Sequence, residues 1–459
     1  MKTMLMKASM LAVLFSGISF TNAQENSMRA YLAPEKYSRG IFEDPKVDAP
    51  EYDGVKVSVG GDFALQFQGL KHSTEGTLPA GVTLIPLGKD VNLPEANLDL
   101  NAYLSTGVKM HLRTYLSARH HNEAWVKGGY IQIDNLDFIS KGFMSNIMKY
   151  ARVRVGMDDL NYGDAHFRRS DGAYTINNPF VENNIMDSFT TQPYAEFYGF
   201  YQNFIGMVGA SNGKMNQTVV NTATSNINPS IYAKIGFDKQ IDSDLRLRLT
   251  GSVIKTSGLT TNGQLFGDDR TGSRYYYVLL TSADQAASAA KNSSFGTDNP
   301  STGRFNPGFK DMTAFQINPF IKYRGFEFFG TIERASGNKV LTVAGVPTKR
   351  DSDGAYNQFA GDLLYRFGSK EQFYIGGKYN TVSGKDFDAM PTRKVDRWNI
   401  DAGWFLTKNI LAKAEYVNQK YDNSLGWGTY TASTNTWNPN TALYGGNFKG
   451  FMLEATIGF

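Results

Sequence analysis

Val55-Lys56-Val57-Ser58-Val59-Gly60-Gly61-Asp62-Phe63-Ala64-Leu65-Gln66-Phe67-Gln68 changes character at every second residue. Val55, Val57, Val59, Phe63, Leu65 and Phe67 fall on one side, and Lys56, Ser58, Asp62, Gln66 and Gln68 on the other. A period of two belongs to a β-strand, because successive side chains point to opposite faces of the pleat. The run exceeds the roughly 9–11 residues with which a tilted strand crosses a bilayer.

The same pattern recurs along the chain. Leu98, Leu100, Ala102 and Leu104 alternate with Asp99 and Asn101, and the chain turns at Thr106-Gly107. On the return, Val108, Met110, Leu112 and Leu116 oppose Lys109, His111, Arg113 and Tyr115. Strands are expected over 126–134 and 150–157, then as pairs over 194–201 with 204–210, 231–237 with 245–255, and 314–324 with 326–333. Further pairs are expected over 356–367 with 373–382 and 398–406 with 411–421, followed by a last strand over 448–459. That last strand sets Phe451, Leu453, Ala455, Ile457 and the terminal Phe459 against Met452, Glu454, Thr456 and Gly458. A terminal aromatic on an alternating strand resembles the signal recognised by the outer-membrane assembly machinery. The count is about sixteen, with 274–281 as one additional candidate; the even number suits single-chain bacterial barrels. Every second connection is short, and the intervening ones are long and rich in Gly, Asn, Asp, Ser and Thr, the longest spanning 257–313, 158–193 and 422–447. Short periplasmic turns and long external loops produce this asymmetry. The expected fold is therefore all-β: a transmembrane antiparallel β-barrel in the bacterial outer membrane, its outer face against lipid.

Composition agrees. Among 459 residues, aromatics reach 13%, with 25 Tyr and 31 Phe, as aromatic girdles at the two interfaces require. Lys2 and Lys7 precede an apolar run from Met10 to Phe20 and then Thr21-Asn22-Ala23, so residues 1–23 read as a signal peptide, 24–54 as a periplasmic lead-in and 55–459 as the barrel. No cysteine is present to carry a lipid or a disulfide. No later stretch approaches an apolar twenty-mer, which excludes a helical membrane protein. The net charge of +4, with acids and bases interleaved, excludes a nucleic-acid partner.

In such a barrel, function resides on the inner face. Lys109, His111, Arg113, Arg152, Arg154, Arg246, Arg248 and Arg397 are expected to line the pore, interspersed with Asp62, Asp99, Glu196, Asp238, Glu333, Asp362 and Asp401. A modest cationic excess in a narrow lumen favours anions, whereas pairing with those acids would merely brace the wall. The 158–193 loop carries Asp158, Asp159, Asp164, His166, Arg168 and Arg169, and is expected to fold inward as a constriction, the alternative being a solvated surface loop.

Enzymatic chemistry is not expected. The five histidines, His72, His111, His120, His121 and His166, lie in no nucleophile motif. His120 and His121 beside Glu123 are poor ligands for one ion because strand neighbours face opposite ways. The pairs and triplets at 268–269, 351–353 and 386–388 suit turn chemistry better than calcium. No metal and no cofactor is expected.

The stretch Met148-Lys149-Tyr150-Ala151-Arg152-Val153-Arg154-Val155-Gly156-Met157, with Asn161-Tyr162-Gly163-Asp164-Ala165-His166-Phe167-Arg168-Arg169, resembles porins of the Bacteroidetes outer membrane and, more distantly, the phosphate-selective porin family. Gly60-Gly61-Asp62-Phe63-Ala64-Leu65-Gln66-Phe67 and the segment from Arg119 to Tyr130 fit the same group. The resemblance implies a sixteen-stranded diffusion channel for small hydrophilic solutes and ions, commonly a homotrimer, with an inward loop. It does not extend to phosphate selectivity, for which no ladder of arginines matches residue by residue. Barrels of this type also serve as partners in secretion or surface-protein complexes, which is the rival expectation.

Overall fold

The structure, a computed structural model, describes residues 42–116, 125–170, 175–213, 228–257, 265–267, 272–290, 301–343, 346–350, 352–431 and 436–459. The signal-peptide stretch, the His120–His121 pair and Asp268–Asp269 lie outside them.

Sixteen antiparallel strands close into one barrel. In chain order they are β1 (Lys56–Ser73), β2 (Asp90–Ser105), β3 (Val108–Leu116), β4 (Trp125–Ile133), β5 (Ala151–Asp159), β6 (Thr191–Tyr201), β7 (Phe204–Ser211) and β8 (Ser230–Gln240). The second half comprises β9 (Leu245–Thr256), β10 (Asp311–Tyr323), β11 (Phe326–Asn338), β12 (Gly354–Phe367), β13 (Phe373–Lys385), β14 (Arg393–Thr407), β15 (Ile410–Tyr421) and β16 (Asn447–Gly458). Each strand pairs with its sequence neighbours, and β1 closes on β16 in a register running from Asp62 opposite Gly458 to Ser73 opposite Asn447. Closure leaves no sheet edge, which hydrocarbon would not tolerate. The additional candidate strand at 274–281 is not part of the wall. Only Tyr275–Tyr276 is extended there, paired with Ser301–Thr302 inside a loop. Its aromatic run resembles a strand, but these tyrosines are buried within the barrel rather than alternating between lipid and lumen.

The polarity is inverted relative to a water-soluble protein. On β8, Ile235 is 69% exposed while its neighbour Lys234 is 3% exposed, and the same inversion holds for Leu65 and Gln66 and for Leu453 and Glu454. Apolar side chains facing outward on strand after strand are stable only in lipid. Rings crowd the outer surface near the short turns. Phe326 and Tyr365 are 4.7 Å apart, Phe367 and Phe373 5.6 Å, Phe373 and Trp404 5.8 Å, and Tyr150 and Tyr201 6.0 Å. Such a girdle marks the membrane–water boundary. The protein is an outer-membrane β-barrel, and the short-turn end, which also receives both ends of the wall, is its periplasmic side. At Thr106-Gly107 the backbone passes so close to Asn135 that a Cβ on Gly107, whose φ is +69°, would lie 2.3 Å from the asparagine Cβ.

Candidate functional site: a lumen occupied by a loop and a strap

Alternation sends Lys109, His111 and Arg113 of β3, Arg152 and Arg154 of β5, Arg246 and Arg248 of β9, and Arg397 of β14 to the inner face. All are buried or half-buried. Most are engaged by carboxylates. Arg113 grips Asp99 across the β2–β3 ladder with two bonds, at 2.8 and 3.2 Å. Arg152 Nε donates to Asp134 at 2.8 Å, and Arg246 holds Asp238 at 2.9 and 2.8 Å. His111 Nδ1 lies 2.8 Å from the Asn101 amide oxygen. Arg397 instead donates to the Asn183 carbonyl and sits 5.5 Å from the Tyr275 ring centre. The row of bases is thus interleaved with acids in space as well as in sequence, which lowers the field that bare arginines would create.

The connection after β5 runs into the barrel. Asp158 and Asp159, assigned to this loop on sequence, are instead the last two residues of β5, because the ladder with β6 extends to Asp159 opposite Thr191. Beyond them the described loop residues are buried almost without break to Thr190. A solvated loop would satisfy its backbone with water; this one uses the wall, as burial demands. Thr175 donates to Glu95 of β2 at 2.6 Å, and the Asn161 amide to Glu196 of β6 at 3.1 Å. The Asp164 amide donates to Asn318 of β10, Met186 to Gln358 of β12, Ile185 to Asn380 of β13, and Val181 to Glu415 of β15. Gln358 reciprocates by donating to the Met186 carbonyl at 2.7 Å. The loop is therefore fastened to strands all around the barrel.

Its charged residues find specific partners. His166 lies between Asp159, at 2.7 Å from Nδ1, and Asn161, at 3.1 Å from Nε2. Arg168 meets Glu327 of β11 at 2.7 Å and lies over Phe329 at 4.9 Å. Arg169 forks onto Asp187 and stacks on Phe189 at 3.8 Å. Asp164 accepts from Arg248 at 2.8 and 2.9 Å and from Lys234 at 3.0 Å. Burial alone would raise its carboxyl pKa, but the Arg248 and Lys234 charges outweigh it and hold the value below the usual carboxylate range.

Within the stretch expected to be a periplasmic lead-in, Phe42–Lys46 packs against inner-face residues near the periplasmic end of the barrel. The Glu43 carboxylate accepts from Lys234 at 2.8 Å and from Arg248 at 2.5 Å. On β3 and β5, the Asp44 carboxylate accepts from Lys109 at 3.0 Å and from Arg154 at 3.3 Å. Arg152 donates to the Asp44 and Pro45 carbonyls at 2.7 and 3.1 Å. Lys46 completes the strap on Asp134 at 3.0 Å. Phe42 fits among Phe167 of the loop, Phe320 and Phe329, with centroids 6.0, 5.2 and 6.4 Å away. Irregular backbone carries no periodic signal, so Glu43 and Asp44 were not legible as site residues. Lys234 was: it alternates with Ile231, Ala233 and Ile235 on a strand already identified.

A second loop enters from the external side. Gln66 donates to the Arg274 carbonyl at 2.7 Å, and Tyr275 OH donates to Glu415 at 2.8 Å. Among the described residues no cluster of His, Asp and Glu is arranged to hold a metal ion. Asp386, weighed as a calcium ligand, is held by Arg393, Lys339 and Tyr356.

No family model and no characterised protein sequence matches this chain. Its shape is similar to solved outer-membrane barrels. The outer-membrane channel DcaP of Acinetobacter baumannii is 11% identical with a TM-score of 0.49, covering 90% of this chain and 100% of that one. OmpT of Vibrio cholerae is 9% identical with a TM-score of 0.48, covering 90% and 100%. An anion-selective porin from Comamonas acidovorans is 11% identical with a TM-score of 0.46, covering 88% and 100%. At such identities no residue role is transferred.

Proposed function

We propose that the protein is an outer-membrane porin: a channel for passive diffusion of small hydrophilic solutes and ions, narrowed by its own inward loop. The observation that carries this reading is the loop of residues 160–190, fastened by hydrogen bonds to strands around the inner wall. A barrel serving only as a scaffold in the membrane needs no such constriction. In this reading Lys109, Arg152, Arg154, Arg246 and Arg248 line the periplasmic part of the passage, and Asp164, His166, Arg168 and Arg169 shape its narrowest part. Because most of these bases are paired, the expected anion preference is weak in the resting protein.

A second reading has its own support. Glu95, Asn318, Gln358, Asn380 and Glu415, which would be wetted in a wide pore, are fully buried beneath the inward loops. That degree of filling suits a barrel acting as a component of a secretion or surface-protein complex. Single-channel recording of the purified protein in a planar bilayer under a salt gradient separates the two. Discrete conductance steps support the porin. Electrical silence in the natural chain and in a variant with residues 165–185 replaced by a short Gly-Ser linker sinks it, provided the variant remains a folded barrel.

A further inference from the structure

The strap is held by carboxylates in a setting built from cations. Glu43 and Asp44 reach different strands, so two side chains on adjacent residues satisfy two separate basic groups: Lys234 and Arg248 on β8 and β9, and Lys109 and Arg154 on β3 and β5. Backbone carbonyls of the strap occupy the guanidinium of Arg152 between them. Nothing in the closure of the barrel requires this segment, since the wall is complete from Lys56 to Gly458. Beside the strap, a cavity of about 510 Å³ opens toward the periplasm, lined by Glu43, Asp44, Lys46, Lys149, Arg246 and Arg248 among others. A space of this size accommodates a small organic anion.

We propose that the periplasmic mouth is a binding site for small polycarboxylate solutes, and that Phe42–Lys46 is its built-in occupant, displaced when such a solute binds. The chemistry follows from what the strap already demonstrates there: Lys234, Arg248, Lys109 and Arg154 donate to its carboxylates at charge-assisted hydrogen-bond distance. Withdrawal of the strap removes two carboxylates and one ammonium, raises the charge of the mouth by one, and releases the donors of five cationic side chains that face the strap, while their bonds to wall and loop remain. It also removes Phe42 from its place against Phe167, so the inward loop loses one aromatic contact at the same moment. Solute binding and widening of the passage are thereby coupled, because both compete with the same ion pairs. This rests on the porin reading for its consequence, but the occupancy of the site is testable without it.

The chain has no cysteine, so a single Phe42→Cys replacement places a reporter at a position that is 3% exposed while the strap is seated. Its labelling by a membrane-impermeant maleimide is measured on the full-length mature protein in liposomes, with folded barrels selected by their heat-modifiable migration. Citrate is expected to accelerate labelling about tenfold or more over sodium chloride of equal ionic strength, and E43Q/D44N to do so without citrate. Equal rates under all these conditions overturn the proposal. Because the cysteine itself loosens the aromatic contact, channel recordings on the otherwise natural E43Q/D44N chain provide a second measurement. Longer open times and a stronger anion bias than in the natural chain are expected. If labelling responds and no variant conducts, the binding site stands and the porin reading falls; if channels form but neither citrate nor E43Q/D44N alters their gating or the labelling, the porin reading stands and this one falls.

Discussion

Arg248 carries an unusual share of the interior. It donates to Glu43, Asp164 and Asp238, and so ties strap, loop and wall at one guanidinium. Replacing it by leucine leaves three carboxylates short of a buried partner, and removing one member of a buried ion pair costs about 3–5 kcal/mol. Denaturant unfolding of R248L in detergent or bilayer vesicles should show a loss of that order, whereas Arg324→Leu, which removes an exposed pair with Asp244, should leave the unfolding midpoint nearly unchanged. The strap adds a dependence on pH. Burial would raise the Asp44 carboxyl, but Lys109, Arg154 and Arg152 facing it together pull it below its ordinary value, to about 2. Glu43 is likewise held well below the usual range: burial opposes the shift, and Arg248 and Lys234 outweigh it, with Asp164 and Asp238 the acids on the same side. A docked strap therefore binds fewer protons than a free one, so docking is at full strength above about pH 5 and weakens as pH falls from about 4 toward 2. The labelling rate of the Phe42→Cys reporter, expressed relative to an exposed-cysteine control at the same pH because only the thiolate reacts, should be constant from about pH 8 to 5 and rise below about 4. A rate that rises steadily from neutral pH would contradict this assignment.

The inward loop depends on a few positions where only a small residue fits. Gly163 has φ +69°, and a Cβ there would lie 1.7 Å from the Gln316 side-chain oxygen. Gln316 is itself engaged by Ser188 and Glu333, so it cannot simply swing aside. Gly163→Ala combines this clash with the roughly 1–2 kcal/mol cost of a left-handed backbone in an L-residue. Faster proteolytic cleavage within 160–190, by about tenfold, is expected, while the barrel itself remains folded; unchanged protection would show that the loop is not held in this conformation. The strands behave differently from the loops. Alternation located all sixteen, since one apolar and one polar face per strand is a repetitive requirement that lipid imposes locally. The ends were less accurate: Asp158 and Asp159 fell on β5 because pairing continues while side-chain polarity no longer alternates cleanly.

Across the whole barrel, stability rests on the lipid-facing belt and on a densely hydrogen-bonded interior. Ile235, at the centre of β8, faces outward. Ile235→Arg should destabilise folding into bilayers by about 2–4 kcal/mol, as expected for a charge near the midplane of a lipid-facing strand. Urea titration in vesicles of matched thickness measures this, and a cost below about 1 kcal/mol would place the residue near an interface instead. The interior shows why the inward bases do not amount to free positive charge: carboxylates from wall, loop and strap meet most of them at hydrogen-bond distance.

The alternation beginning at Val55 and the short–long rhythm of the connections were sufficient for the closed barrel, its membrane setting and the inward direction of Lys109, Arg152 and Arg248. These are local properties, because a strand's two faces are written in its own residues. The occupation of the lumen was not legible in that way. Glu43 lies 191 residues before Lys234 and 205 before Arg248, and Val181 lies 234 before Glu415. Such partners are brought together only when the barrel closes and an irregular segment folds through it. An aperiodic backbone satisfies its polar groups with whatever the far wall offers, so its place is decided by three-dimensional proximity and by the cost of leaving a buried charge unpaired.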